Sequence, residues 1–173
     1  MKKIFAPLIG CVILVASQLQ AQSVDDKLKS LGIELAPPAK SLANYVKSVR
    51  TGNLVFLSGH VSSRPDGTGI TGKLGKDLAT EQGYEAAKLC AIALLSSLKA
   101  EIGDLNKVKR VVKVLGMVNS APEYIEQSKV MNGCSDLLVN LFGDKGKHAR
   151  SAVGMAALPS NYAVEVEMVV EIE

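Results

Sequence analysis

The sequence predicts an α+β domain, one mixed β-sheet with two α-helices packed on one of its faces. Three observations lead there. From Val164 to Glu173 the apolar residues Val164, Val166, Met168, Val170 and Ile172 alternate with Glu165, Glu167, Glu171 and Glu173, the period of two of a strand with one face on a core. Between Thr80 and Ile102 the apolar residues Ala86, Leu89, Cys90, Ala93, Leu94, Leu98 and Ile102 recur at three and four places before Gly103, which is helical spacing ended by a helix stop. The element order strand, strand, helix, strand, helix, strand, strand then sets two helices against one sheet.

In chain order, residues 1–21 pair two lysines with an apolar run from Ile4 to Ala16 and a polar end at Gln18-Leu19-Gln20-Ala21. That is the layout of a secretory signal peptide, with cleavage expected after Ala21 and a periplasmic or secreted mature chain; the apolar run falls short of the roughly 20 residues that span a bilayer. Residues 22–48 form an N-terminal helix and an extended segment, with Ser23 as cap, Gly32 as stop and Pro37-Pro38 extending the chain. The domain proper is expected over 49–173. Val49 to Val61 reads as a strand around Leu54-Val55-Phe56-Leu57, ending at the small residues Ser58-Gly59. Arg64-Pro65-Asp66-Gly67-Thr68-Gly69 is dense in turn formers, and Ile70 to Leu74 pairs back as a hairpin strand. After the helix over 80–102, Val108 to Val118 is a β-branched strand with Lys107, Lys109, Arg110 and Lys113 interleaved. Ser120-Ala121-Pro122-Glu123 reads as a capping box that opens a second helix, running through Met131, Cys134 and Leu138 to Gly143. The breaker cluster Ala157-Leu158-Pro159-Ser160-Asn161 makes Ser151–Ala156 and Tyr162–Ile172 an antiparallel hairpin.

Composition narrows the function. With 47% hydrophobic residues among 173, the chain suits one domain with a sizeable core. Its 20 basic residues face 17 acidic ones, and cleavage takes Lys2 and Lys3 away, so the mature chain is near neutral. That argues against a dedicated nucleic-acid or anionic-membrane binder. Three Phe, four Tyr and no Trp leave little for base stacking. Cys90 and Cys134 fall inside helical apolar patterns and read as buried thiols rather than a disulfide. Neither His60 nor His148 has a partner at i+3 or i+4, so no metal is expected. Phosphate-cradling loops and a Gly-x-Ser-x-Gly elbow are both missing, and no cofactor is expected.

The residues that remain distinctive are Ala43-Asn44-Tyr45-Val46, the run from Gly52 to Gly59, Asn119-Ser120-Ala121-Pro122, His148-Ala149-Arg150-Ser151-Ala152-Val153-Gly154, Leu158-Pro159 and Val164-Glu165-Val166-Glu167. In their order and spacing they resemble the reactive intermediate deaminase (Rid) family, also called YjgF-like, from Ala43 to Glu167. Ala43–Val46 and His148–Gly154 look most like a subgroup whose role is less settled than that of typical members. The resemblance implies a chorismate-mutase-like fold assembled as a homotrimer, with ligand clefts between subunits. It also implies hydrolysis of small carboxylate-bearing enamine or imine intermediates to 2-keto acids and ammonia.

Residue by residue, the resemblance makes Arg150 the anchor of the substrate carboxylate, a use that suits a planar bidentate donor. Glu165 becomes the group that handles water. Tyr45, Gly59, Asn119 and Ala152 line the cleft. Each has a competing reading: Arg150 as a solvated residue at the mouth of a strand, Glu165 as one of an edge row of acids, Tyr45 as a packing residue, Asn119 as a turn former and Gly59 as a backbone requirement. Ala152 stands where many typical members carry cysteine, and Asn44 where many carry proline. Whether Arg150 and Glu165 share a sheet face depends on register. Two other functions compete with deamination: a non-catalytic trimeric binder of small carboxylates, and an RNA-acting protein using Lys107, Lys109, Arg110, Lys113, Lys145 and Lys147.

Overall fold

The computed structural model describes residues 22–38 and 43–173; the expected signal peptide lies outside the described residues. Helix α1 (Val24–Ser30) begins where Ser23 accepts the Asp26 N–H, a side-chain cap of the kind that satisfies a first-turn donor, and Val24 and Leu28 seat it on the core. The sheet contains β1 (Ser48–Thr51), β2 (Leu54–Val61), β3 (Val108–Asn119), β4 (Ala149–Met155) and β5 (Val164–Ile172), in the order β1-β2-β5-β3-β4. Helices α2 (Thr80–Ile102) and α3 (Gln127–Phe142) cover one face, as expected for the α+β class. The strongest pattern in the sequence is therefore the middle of the sheet: β5 lies between β2 and β3, antiparallel to both.

All five alternate apolar side chains of β5 are buried, against Ala86, Cys90, Leu94 and Leu98 of α2 and Met131, Cys134 and Leu138 of α3. Cys90 and Cys134 are free thiols inside this core. At Gly133 the two helices close to backbone contact: a Cβ there would stand 1.9 Å from the Tyr84 carbonyl oxygen.

Four expectations need correction. Val49 to Val61 is two strands, because Gly52 at φ 58 allows a two-residue turn and Thr51 pairs with Leu54. Ile70–Leu74 forms only isolated bridges, Thr71 to Tyr162 and Leu74 to Leu78 and Ser120. That last bridge also cancels the capping box. The Ser120 N–H donates to Met155 O and the Ala121 N–H to Leu74 O; the chain then turns at Pro122-Glu123, where the Tyr124 N–H donates to Ala121 O, and α3 starts only at Gln127 with Glu126 as its cap residue.

The largest correction concerns β4. It pairs with β3, in parallel, and not with β5. Parallel neighbours need a crossover, and α3 supplies it between β3 and β4. The breaker cluster is accordingly no hairpin turn but a bridge over the end of β3, with Ser160 (φ 52) and Asn161 (φ 57) in left-handed conformation.

Candidate functional site

Register fixes the faces. Arg150 pairs with Val114, which is wholly buried under the helices, and its guanidinium reaches α3. Glu165 lies between the buried Val164 and Val166 and pairs with Met117 and Val61. Within one copy of the chain, then, the two groups lie on opposite faces of the sheet with β3 between them. The six candidate residues divide into two clusters and a tie.

The first cluster is on the face away from the helices. Between Leu57 and His60 strand β2 carries one residue more than β5 opposite it, a bulge at Ser58-Gly59. Glu165 uses the space left by Gly59, where a Cβ would be 2.0 Å from Oε1. The segment from Tyr45 to Lys47 is held over the same bulge: Ser58 Oγ donates to Val46 O at 2.5 Å and the Ser58 N–H to Lys47 O at 3.0 Å. Tyr45 is half exposed, with the Lys47 ammonium 5.6 Å from its ring centre. Burial and then the neighbouring Glu167 charge push the Glu165 carboxyl above the usual glutamate range, against a pull from Lys47. No hydrogen bond contributes among the described residues. A half-buried carboxylate with free lone pairs and a raised pKa is suited to exchanging protons with a bound molecule or water.

Arg150 and Ala152 make the second cluster, on the helix-facing side of β4, a strand at the edge of the sheet. Arg150 Nη1 donates to Asn132 Oδ1 at 3.0 Å and Ser135 Oγ at 2.9 Å, and Nη2 donates to Ser128 O at 3.3 Å. All three acceptors are neutral. The guanidinium is oriented without being neutralised, which leaves its charge for an anion.

Asn119 is the tie. Its Oδ1 accepts from Lys73 Nζ at 2.8 Å, and its Nδ2 donates to Asn161 Oδ1 at 3.0 Å and toward the Tyr162 and Gly72 carbonyls. The residue is 1% exposed, and its amide holds the left-handed bridge between β4 and β5. Asn119→Ala would remove the buried amide that ties these partly buried groups together; a loss of about 1–3 kcal/mol is expected in denaturant titration.

Four residues near these clusters have no site role in the sequence reading: Lys47, Asn132, Ser135 and His148. Only His148 carries a signal, standing two places before Arg150 at the entrance of β4. His60 is part of the frame rather than the site. Its Nδ1 meets Ser58 O and its Nε2 meets Ser97 Oγ, both at 2.7 Å, and burial lowers its pKa. Five of the six basic residues weighed for RNA are engaged singly: Lys107 with Ile102 O at 3.0 Å, Lys109 with Glu171 at 2.7 Å, Lys113 with Ser151 at 2.8 Å, Lys145 with Val108 O at 3.3 Å and Lys147 with Asp144 at 2.7 Å. Among the described residues no group of acidic, His and Cys side chains could hold a metal ion.

The comparisons with known proteins agree with this arrangement of strands and helices. Residues 25–172 match a family model described as YjgF/chorismate mutase-like, putative endoribonuclease. The chain belongs to the YjgF/Rid family. Among its relatives, protein TCP17 of Trypanosoma cruzi is 45% identical over 146 residues, which is 84% of this chain and 91% of that protein. The crystal structure of Atu1372, a protein of unknown function from Agrobacterium tumefaciens, is 41% identical with a TM-score of 0.82, covering 87% of this chain and 94% of its own. RidA from the Antarctic bacterium Psychrobacter sp. PAMC 21119 is more distant, at 25% identity and a TM-score of 0.54 over 79% of this chain and 94% of that one. In this chain the fold carries a cationic fork on an edge strand and a carboxylate on the open face of the sheet.

Proposed function

We propose that the chain is an imine or enamine deaminase of small carboxylate-bearing substrates, working in clefts between copies of a homotrimer. The observation that carries the reading is the Glu165 carboxylate, half-buried beside Gly59, raised in pKa and free of hydrogen bonds among the described residues. Such a group takes a proton from water as the water adds to the imine carbon. The proton passes to the nitrogen to give a carbinolamine; its hydroxyl then yields its own proton, which reaches the nitrogen through the same carboxylate, the C–N bond breaks as the C=O forms, and keto acid and ammonia leave. Arg150, with no acidic partner among the described residues, holds the substrate carboxylate.

Opposite sheet faces require that the two ends of this site come from different copies. The open face supports such an assembly: Val49 and Phe56 are 56% and 45% exposed, beside Leu115 and Val169 around a depression of about 260 Å³, and Val153 on β4 is 41% exposed. An apolar sheet face of this kind calls for a cover. A cut after Ala21 leaves Ser23 and its helix cap intact, which supports the proposed exported mature chain.

The test is release of keto acid from imino acids generated enzymatically in the assay. Arg150→Ala is expected to slow it by about ten- to a hundredfold, the loss of a charge-assisted contact. A rate that is unchanged, or indistinguishable from the uncatalysed one in the wild type, overturns the deaminase reading. Carboxylate binding without turnover would favour a trimeric binder instead, a reading that the separation of Arg150 from Glu165 in one copy supports.

A further inference from the structure

We propose that His148 and Ser135 form a relay that sets the pose of the Arg150 guanidinium, with His148 as a positioning residue for the anion-binding end of the site. The consequence for ligand rests on Arg150 as carboxylate anchor; the relay itself is read without any ligand.

Three contacts stand in line. His148 Nδ1 is 2.6 Å from Gly146 O, His148 Nε2 is 3.0 Å from Ser135 Oγ, and Arg150 Nη1 is 2.9 Å from the same Oγ. Their direction follows from what each group can do. A carbonyl oxygen only accepts, so Nδ1 carries the ring proton and Nε2 is left with a lone pair. The Ser135 hydroxyl therefore donates its one proton to the ring. Its lone pairs are then turned to the guanidinium, which has donors only. Asn132 and Ser128 complete the cradle, but only Ser135 connects it to a group that titrates near neutrality.

Protonating the ring reverses the logic. Nε2 becomes a donor, the hydroxyl must accept from two cations, and its own proton needs another acceptor. Burial holds the His148 pKa below its ordinary value, against the Gly146 carbonyl bond, which raises it, and the Arg150 charge lowers it further, which keeps the relay intact around neutral pH. Other charged groups nearby are engaged elsewhere. Asp144 pairs with Lys147 at 2.7 Å, Lys145 donates to Val108 O at 3.3 Å, and Asp136 on α3 accepts from the Tyr84 hydroxyl on α2 at 3.0 Å. The Cys134 thiol on α3 is pushed up to about 12 by burial and stays neutral. Arg150 is the cation that acts on the ring.

The test separates the relay from the ligand. Nitrogen NMR of the full-length mature protein is expected to show the Nδ1–H tautomer of His148, titrating below the ordinary value of about 6.5, and Arg150→Met is expected to raise that pKa. An Nε2–H tautomer, or the same titration in Arg150→Met, overturns the relay. Calorimetry with 2-oxobutanoate as the probe is the second arm. His148→Asn keeps a donor near Gly146 O but is too short for Ser135, and is expected to weaken binding about tenfold through misplacement of the guanidinium. His148→Gln puts an amide where Nε2 stands and is expected to restore most of that loss. Equal binding by the two variants overturns the positioning role. If Arg150→Met binds the probe as tightly as the wild type, the carboxylate reading falls instead, while the ring titration still decides the relay.

Discussion

Glu165→Gln is expected to lower imine hydrolysis by about 100- to 10,000-fold, the usual contribution of a positioned acid–base group, while leaving Arg150-dependent carboxylate binding in place. The amide fills nearly the same volume beside Gly59 but takes no proton. In the wild type the active form is the carboxylate. Burial and Glu167 raise its pKa, so the rate should begin to fall, as the medium is acidified, at a pH above the ordinary glutamate value. The stability argument has the opposite sign. Folding disfavours the ionised form, so Glu165 subtracts stability at pH values above its raised pKa, and that penalty fades as the pH drops through it. Glu165→Gln is accordingly expected to unfold at least as late as the wild type at neutral pH. A variant that is inactive because it is unstable would refute the assignment, and thermal scans beside the rate assay distinguish the two.

Gly133→Ala is expected to destabilise the fold by about 3 kcal/mol or more, at the upper end of overpacking costs. The added carbon would lie 1.9 Å from the Tyr84 carbonyl oxygen. That atom belongs to the backbone of α2, so no side-chain rotation relieves the clash, and α2 and α3 must separate over a close-packed core. Because α3 also carries Asn132 and Ser135, the variant should loosen the Arg150 cradle. Urea titration reports the first effect and Arg150-dependent probe binding the second.

These residues also show what the sequence made legible. Helix α2 was bounded correctly because a long apolar stripe and Gly103 give independent signals of one element. The inward face of β5 was equally readable, since alternation is a property of the strand alone. Its neighbours were not. Breaker residues between β4 and β5 say that the chain bends, not how far it travels, and a bridge across β3 has the same composition as a hairpin turn. Ser120 and Glu123 have capping-box chemistry, yet the Ser120 backbone was already bonded to Met155. For the site, Arg150 and Glu165 were nameable from the family resemblance, but their opposite faces depend on pairing with Val114 and Met117, which no local pattern encodes.

The position of β5 has a consequence for how the molecule is made. Its residues follow those of the other four strands in the chain yet form the spine between β2 and β3, so the two halves of the sheet join only through β5. Removing β5 would leave two separated ribbons rather than a shortened sheet, and the ordering of the whole molecule waits on distant pairing, which is slow. Until β5 is in place, the β1-β2 and β3-β4 ribbons would have nothing between them to pair with, and their inner edges would stay open to other partners.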